Sequence, residues 1–99
     1  MEERREEPRF RLNCPVAVEW DNRILNGEVT DVGRHSVSVN VEPSPPAHTV
    51  LRLVISTSGQ AVNLLCVVKR TGPNGFAAEF DVVPPLYDRM LGPFLSGQR

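Results

Sequence analysis

Short runs in which apolar and polar residues alternate constrain the fold of this chain more than any other feature of its sequence. Alternation with a period of two places successive side chains on opposite faces of a β-strand, and each run ends at turn-forming residues. Six short antiparallel strands in a chain of 99 residues are best closed into a barrel, because closure leaves no exposed edge strand. The sequence therefore predicts an all-β fold, a six-stranded antiparallel β-barrel. The predicted strands lie near residues 16–20, 24–32, 37–41, 50–55, 61–70 and 76–82.

Turn residues and a change of periodicity divide the chain further. The segment 42–48 contains three prolines, which cannot supply a ladder of hydrogen bonds, so we expect a loop there. Residues 21–23 are typical of a hairpin connection, and Asn26-Gly27 predicts a bulge or a bend within the second strand. After residue 83 the apolar residues take helical spacing, which predicts a short helix from about Leu86 to Leu91 that packs on the barrel mouth, with Gly92-Pro93 interrupting the pattern.

The length of the chain predicts a single domain over residues 1–99, because a second core would not fit. We divide it into a flexible arginine-rich lead at 1–12, the barrel at 14–83 and the C-terminal helix at 84–96. A chain of this size buries about 65% of the surface that it exposes when unfolded. That is enough for a modest core but not for a deep catalytic cleft.

Charge and cysteine content restrict the function classes. Because 11 Lys and Arg are balanced by 12 Asp and Glu, we expect no binding to DNA or RNA and no attraction to an anionic membrane. Cys14 and Cys66 lack a CxxC or nearby His partner, which predicts buried thiols in a reducing cytoplasm and no metal site. The charged start, MEERREEP, and the short apolar runs predict neither a signal peptide nor membrane insertion, and hence a cytoplasmic location.

Two groups of charged residues have both a structural and a functional interpretation. Arg4, Arg5 and Arg9 are interspersed with four glutamates, a pattern typical of a solvated stretch. Guanidinium is also the side chain best suited to grip a phosphate with two hydrogen bonds and to stack on a base. Asp31 is either a turn residue bonded to its own backbone or a carboxylate that accepts hydrogen bonds from a ligand.

The order of these features resembles the PilZ domain, a bacterial module that binds the second messenger cyclic di-GMP on a six-stranded barrel. The first motif of that family, RxxxR, is matched by REEPR at residues 5–9. Its second motif, an acidic or amide residue followed by xSxxG, falls on DVGRHS at residues 31–36. Asp31 is kept there, but Gly33 stands at the position of the serine and Ser36 at that of the glycine. The resemblance covers nearly the whole chain and implies a PilZ-like split barrel with a short C-terminal helix.

The resemblance also implies a role for each matched residue. Arg5 and Arg9 would be the principal contacts to the phosphates and guanines of cyclic di-GMP, with Arg4 as an auxiliary contact. Asp31 would accept hydrogen bonds from the N1–H and amine of guanine. Gly33 keeps a backbone amide for the ligand but lacks the hydroxyl, a loss that weakens binding by about tenfold at most. The implied ligand-binding residues are Arg4, Arg5, Arg9, Asp31, Gly33, Arg34 and Ser36.

Two functions stay open at this point. In the first, the domain is a cyclic di-GMP receptor whose lead orders over the barrel near Asp31 and which signals to an effector protein, motility and biofilm formation being usual outputs of the family. In the second, it is a degenerate PilZ-like interaction module that no longer binds the nucleotide. Arg34 fits either function, because it could reach a phosphate or pair with Glu28 or Asp31 and close the site.

Other functions are less well supported by the sequence. A hydrolase could be assembled from Asp31, His35 and either Ser36 or Ser38, but adjacent residues of a strand point to opposite faces and no nucleophile elbow is present. We therefore expect no enzyme and no cofactor, the ligand being cyclic di-GMP itself. The apolar C-terminal segment with Leu91, Phe94 and Leu95 offers a surface on which a second copy could dock as a homodimer.

Overall fold

The computed structural model describes residues 9–57 and 59–96, and for 93–96 it describes the backbone alone. The strands pair in the closed order β1-β2-β3-β6-β5-β4, and every neighbouring pair is antiparallel. The predicted six-stranded antiparallel barrel with a short C-terminal helix is confirmed. In chain order the elements are β1 (Phe10–Trp20), β2 (Arg23–Val32), β3 (Ser36–Asn40), β4 (Val50–Thr57), β5 (Gln60–Gly72), β6 (Gly75–Glu79) and α1 (Pro85–Ser96).

The inward-facing half of each alternation fills the barrel. In β1, for example, Cys14, Val16 and Val18 are buried while the residues between them are more exposed. Tyr87 and Leu91 extend from α1 into the same core, so the helix covers one end of the barrel. Burial of apolar surface at about 25 cal/mol per Å² is the main force that holds such a core together. Trp20 alternates with Val16 and Val18 in β1 but is only partly buried, and the guanidinium of Arg23 lies 5.2 Å from the centre of its ring.

The β1–β2 hairpin forms as expected, but the register shift of β2 does not lie at Asn26-Gly27. Asp21 and Asn22 form the connection with φ angles of 56° and 58°, the left-handed conformation of a two-residue hairpin turn. Asn26-Gly27 is not a bulge, because the β1–β2 register runs without a shift from Cys14 to Trp20. The shifts lie between Arg11 and Cys14 in β1 and between Val29 and Asp31 in β2.

Both ends of the described chain differ from the expected boundaries. Strand β1 begins at Phe10, so residues 10–12 are strand rather than flexible lead. The reason is that Phe10 and Leu12 pack against the core while Phe10 pairs with Val32 of β2. Residues 1–8, the rest of the predicted lead, lie outside the described residues.

The helix is longer than the predicted pattern. It continues through Gly92-Pro93 to Ser96, since the fixed φ of proline is compatible with a helix, although one backbone hydrogen bond is lost there. Within residues 9–57 and 59–96, no helix combines the length and the apolar character that a membrane crossing requires. Phe94 and Leu95, which we considered for dimer formation, belong to the part of α1 described by its backbone only.

Candidate functional site

The site predicted from the sequence is centred on Asp31, near the end of β2. Asp31 pairs with Arg11 of β1 on one side and with Ser38 of β3 on the other. Residues directly opposite each other in an antiparallel ladder share a face of the sheet. The Asp31 side chain is 37% exposed, so this face is the outer surface of the barrel. Asp31 is therefore a strand residue that faces solvent, and not the turn residue of the alternative interpretation.

Arg9 lies against this surface and bonds three side chains. Its Nη2 donates to Oδ1 of Asp31 at 2.5 Å and to Oγ of Ser38 at 2.9 Å. Its Nε donates to the same Asp31 oxygen at 3.2 Å, and its Nη1 donates to Oγ of Ser36 at 3.2 Å. A planar guanidinium with its donors spread in this way is fixed in orientation as well as in position.

The charge of the site is balanced by this contact. Arg9 and Asp31 form an ion pair in which the side chains are 40% and 37% exposed. Exposed pairs of this kind contribute about 0–1 kcal/mol to stability, since water screens the attraction. The pair therefore favours this position of Arg9, but little free energy is needed to separate its side chain from Asp31.

The β2–β3 turn beneath the site is built on Gly33. Gly33 is buried, and its N–H, which we expected to face the ligand, donates to the carbonyl of Ser36 at 2.8 Å. The hydroxyl of Tyr87 in α1 donates to the Gly33 carbonyl at 2.5 Å and lies 3.3 Å from the Ser36 carbonyl. Both backbone groups of Gly33 thus point into the protein, and the helix is anchored to the turn that carries the second motif.

The remaining predicted residues are placed differently. Arg34 lies 3.9 Å from Asp88 of α1, and both side chains are more than half exposed. Arg34 therefore meets neither of the two carboxylates that we considered as its partners, Glu28 and Asp31. Arg4 and Arg5 lie outside the described residues. The structure thus brings together Arg9, Asp31 and Ser36, whereas Arg34 lies against Asp88 of the helix.

Two residues of this surface were not predicted as ligand contacts. Ser38 contacts Arg9 directly, and Arg11 is exposed opposite Asp31 in the β1–β2 ladder. The signal that could have found them is register, because the partners of Asp31 follow once the two hairpins are aligned. Neither residue belongs to the motifs by which the site was predicted.

Other features of the described surface lie apart from this site. A groove of about 630 Å³ is lined by β4, β5 and the segment after β6, and it includes none of the residues around Arg9. Burial raises the pKa of the Cys66 thiol to about 12, and burial, aided by the charge of Glu28, raises the pKa of the Cys14 thiol. Both cysteines are buried and free, as expected. The described side chains contain no group of three or more His, Cys, Asp or Glu that could hold a metal ion.

Comparison with solved structures finds the same fold elsewhere. The Bacillus subtilis inhibitor of motility, MotI/DgrA, superposes with a TM-score of 0.72 over 99% of this chain at 14% sequence identity. This chain covers 54% of that protein, so it spans about half its length. At this identity the similarity shows a shared fold. No curated protein matches the sequence.

Comparison with family models gives a match that extends over the whole barrel. The model described as PilZ domain matches residues 3–96, which include REEPR, the second motif, all six strands and the helix. The match confirms the resemblance inferred from the two motifs and the barrel pattern. It includes the turn at Gly33 and Ser36, where the sequence departs from the family motif. This chain therefore belongs to the PilZ domain family.

Proposed function

We propose that this domain is a cyclic di-GMP receptor and that Arg9 and Asp31 form the centre of its binding site. The single observation that supports the proposal most is the 2.5 Å contact between these two side chains. Arg9 is the last residue of the first motif and Asp31 the first residue of the second, 22 positions apart in the chain. The fold thus joins the two motifs at one point of its surface. PilZ domains are receptor and adaptor domains rather than enzymes, which fits an open site of this kind.

The chemistry of the ligand matches the groups present. Each phosphate of cyclic di-GMP is an anion that a guanidinium can hold with two parallel hydrogen bonds, and Arg9 supplies such a group. Asp31 supplies a carboxylate that can accept from two donors of a guanine edge. In our proposal Arg9 gives up its contact with the carboxylate for a phosphate while its contacts with the serines of β3 keep it at the site, and the freed carboxylate receives the guanine.

Other residues complete the proposed site. Arg5, with Arg4 beside it, would supply further phosphate and guanine contacts from the first motif. Arg34 can turn from Asp88 to a phosphate at little cost, since their contact is long and exposed. Ser36 keeps a hydroxyl in the site, whereas Gly33 serves it indirectly by forming the turn.

The proposed signal is a change of surface. When the arginine-bearing segment rearranges around the nucleotide, the face that the barrel presents to an effector protein changes. We propose a cytoplasmic bacterial role of this type, with motility or biofilm formation as the output. The alternative, an interaction module without nucleotide, is favoured by one observation: Gly33 provides no hydroxyl and directs its N–H inwards.

Calorimetric titration of the domain with cyclic di-GMP at near-physiological salt tests the proposal. We expect binding with a dissociation constant in or below the micromolar range. Asp31→Ala and Arg9→Ala should each weaken binding by about 10- to 150-fold, the worth of hydrogen bonds to a charged group of 1.5–3 kcal/mol. Arg5→Ala should weaken it in the same direction.

A matched control is available between β1 and β4. Arg52 also forms an exposed pair with a carboxylate, its Nε lying 3.6 Å from Glu19. Arg52→Ala removes the same charge and a similar contact, but it should leave the dissociation constant within twofold of the wild type. If the folded wild-type domain gives no heat at high ligand concentration, the receptor proposal is wrong and the interaction module is supported.

A further inference from the structure

Ser38 contacts the centre of the proposed site although it belongs to neither motif. It lies on β3 directly opposite Asp31, and its Oγ accepts a hydrogen bond from Nη2 of Arg9 at 2.9 Å. Ser36, two residues earlier on the same face of β3, accepts from Nη1 at 3.2 Å. One serine hydroxyl is therefore bonded to each terminal nitrogen of the guanidinium.

The two hydroxyls restrain the orientation of the guanidinium, which the carboxylate alone does not. Both bonds from Arg9 to Asp31 reach a single oxygen, Oδ1. Two donors that share one acceptor leave the guanidinium able to swing about that oxygen. The Oγ atoms of Ser36 and Ser38 add separate points of contact, and three separate points define a plane. Ser38 has the shorter of the two contacts and bonds the nitrogen that also meets Asp31.

We infer that Ser38 is a positioning residue that sets the plane of the Arg9 guanidinium for the ligand. The inference rests on the proposed function, because the orientation of Arg9 matters through what Arg9 binds. The hydroxyl of Ser38 accepts from Arg9 through an oxygen lone pair and keeps its own proton for donation. That proton can meet an oxygen of the bound nucleotide, so Ser38 supplies the hydroxyl that the second motif lacks at Gly33.

The backbone of β3 keeps Ser38 in this place. Ser38 is half-buried and forms part of the ladders to β2 and β6, opposite Asp31 and Ala77. The residue opposite it on β6, Ala77, has a small side chain, and Ser38 is partly exposed. A substitution at Ser38 that preserves strand propensity should therefore change the hydroxyl without changing the fold.

The first test is made without ligand. In ¹⁵N NMR spectra, the Nε–H signal of Arg9, assigned by its loss in Arg9→Lys, should exchange slowly with water in the wild type. Ser38→Ala should shift this signal towards that of a solvated arginine and speed its exchange. Ser38→Thr keeps a hydroxyl and suits a strand, so it should preserve the wild-type signal. Ser56→Ala, which removes an exposed hydroxyl from β4, is the control and should leave it unchanged.

The second test is titration with cyclic di-GMP. Ser38→Ala should weaken binding about three- to tenfold, as expected for one exposed hydrogen bond, and Ser38→Thr should recover most of the loss. An Arg9 signal that is the same in Ser38→Ala and wild type would overturn the inference. If the wild type binds cyclic di-GMP and Ser38→Ala binds it with the same affinity, the inference is also overturned. A changed Arg9 signal in a domain that binds no nucleotide would support the positioning of Arg9 and refute the proposed function, so the two failures are distinguishable.

Discussion

Tyr87→Phe tests the link between the helix and the site by removing one oxygen atom. The ring of Tyr87 is fully buried and packs edge-on against Phe80, with ring centres 4.9 Å apart. Its hydroxyl donates to the carbonyl of Gly33 at 2.5 Å. Phenylalanine keeps the ring and its packing, so the variant isolates the contribution of the hydroxyl.

The expected magnitude follows from the burial of the acceptor. Gly33 is buried, and its carbonyl loses this hydrogen bond in the variant while water does not replace it readily. Leaving a buried polar group unsatisfied costs about 1–3 kcal/mol. For a domain near 100 residues, each kcal/mol lowers the melting temperature by about 4–8 °C. The ladder of β2 and β3 is retained, so the loss should not abolish folding.

Urea denaturation followed by the fluorescence of Trp20, the only tryptophan, measures the effect. We expect a lower transition midpoint with an unchanged slope, because the same surface is exposed on unfolding. Ser56→Ala, an exposed hydroxyl deletion, should stay within about 0.5 kcal/mol of the wild type. If Tyr87→Phe also stays within that range, the hydroxyl does not fasten α1 to the β2–β3 turn, and our account of the turn is refuted.

Two further predictions concern the barrel itself. Gly27→Ala should destabilise the domain by about 1–3 kcal/mol in urea denaturation, because the new Cβ would lie 2.5 Å from the carbonyl oxygen of Asn40. The Cβ of Gly92→Ala meets nothing within 4 Å, so this variant should be neutral or stabilising by up to about 1 kcal/mol. Equal effects of the two substitutions would contradict this reasoning. Burial raises the pKa of Cys66 from 9.0 to about 12. The contribution of the neutral thiol to the free energy of unfolding is therefore complete below pH 9, and it is lost as the pH rises towards 12, by up to about 1.4 kcal/mol per pH unit. The difference in stability between wild type and Cys66→Val should fall accordingly over that interval, and a constant difference would disprove the assignment.

Local sequence signals predicted the fold because the barrel repeats one local rule. Period-two alternation gave six strands, and the Asp21-Asn22 turn has the conformation that such a hairpin requires. The glycine at position 27 has a non-local cause, which is not the bulge considered from the sequence. The glycine is needed because the chain at Asn40, 13 positions later, passes too close for a side chain. A contact of this kind depends on how β2 and β3 align, and that alignment includes a register shift that the sequence does not mark.

The same distinction applies to the candidate site. Arg9 and Asp31 could be named in advance because each is part of a motif, and Ser36 could be named from its place in the second one. Ser38 could not, because its role depends on lying opposite Asp31 across the β2–β3 ladder. Arg34 meets Asp88 of α1, the helix whose Tyr87 bonds Gly33 across 54 positions of sequence. Motifs identify the groups that meet, and register decides which neighbours join them.

In the proposed receptor, the Arg9–Asp31 pair would explain how one site can be formed before the ligand arrives and still admit it. An exposed ion pair contributes about 0–1 kcal/mol, so the free energy needed to separate these side chains is small beside a phosphate contact to Arg9. The two serines restrain the guanidinium through exposed hydrogen bonds to uncharged acceptors, and water competes for the same donors, so the net worth of each bond is also small. A site held by several weak contacts is ordered on average, yet each contact can be exchanged separately for one to the nucleotide. An arginine held instead by a buried pair would cost several kcal/mol to release, and the second motif would then lock the first rather than cooperate with it.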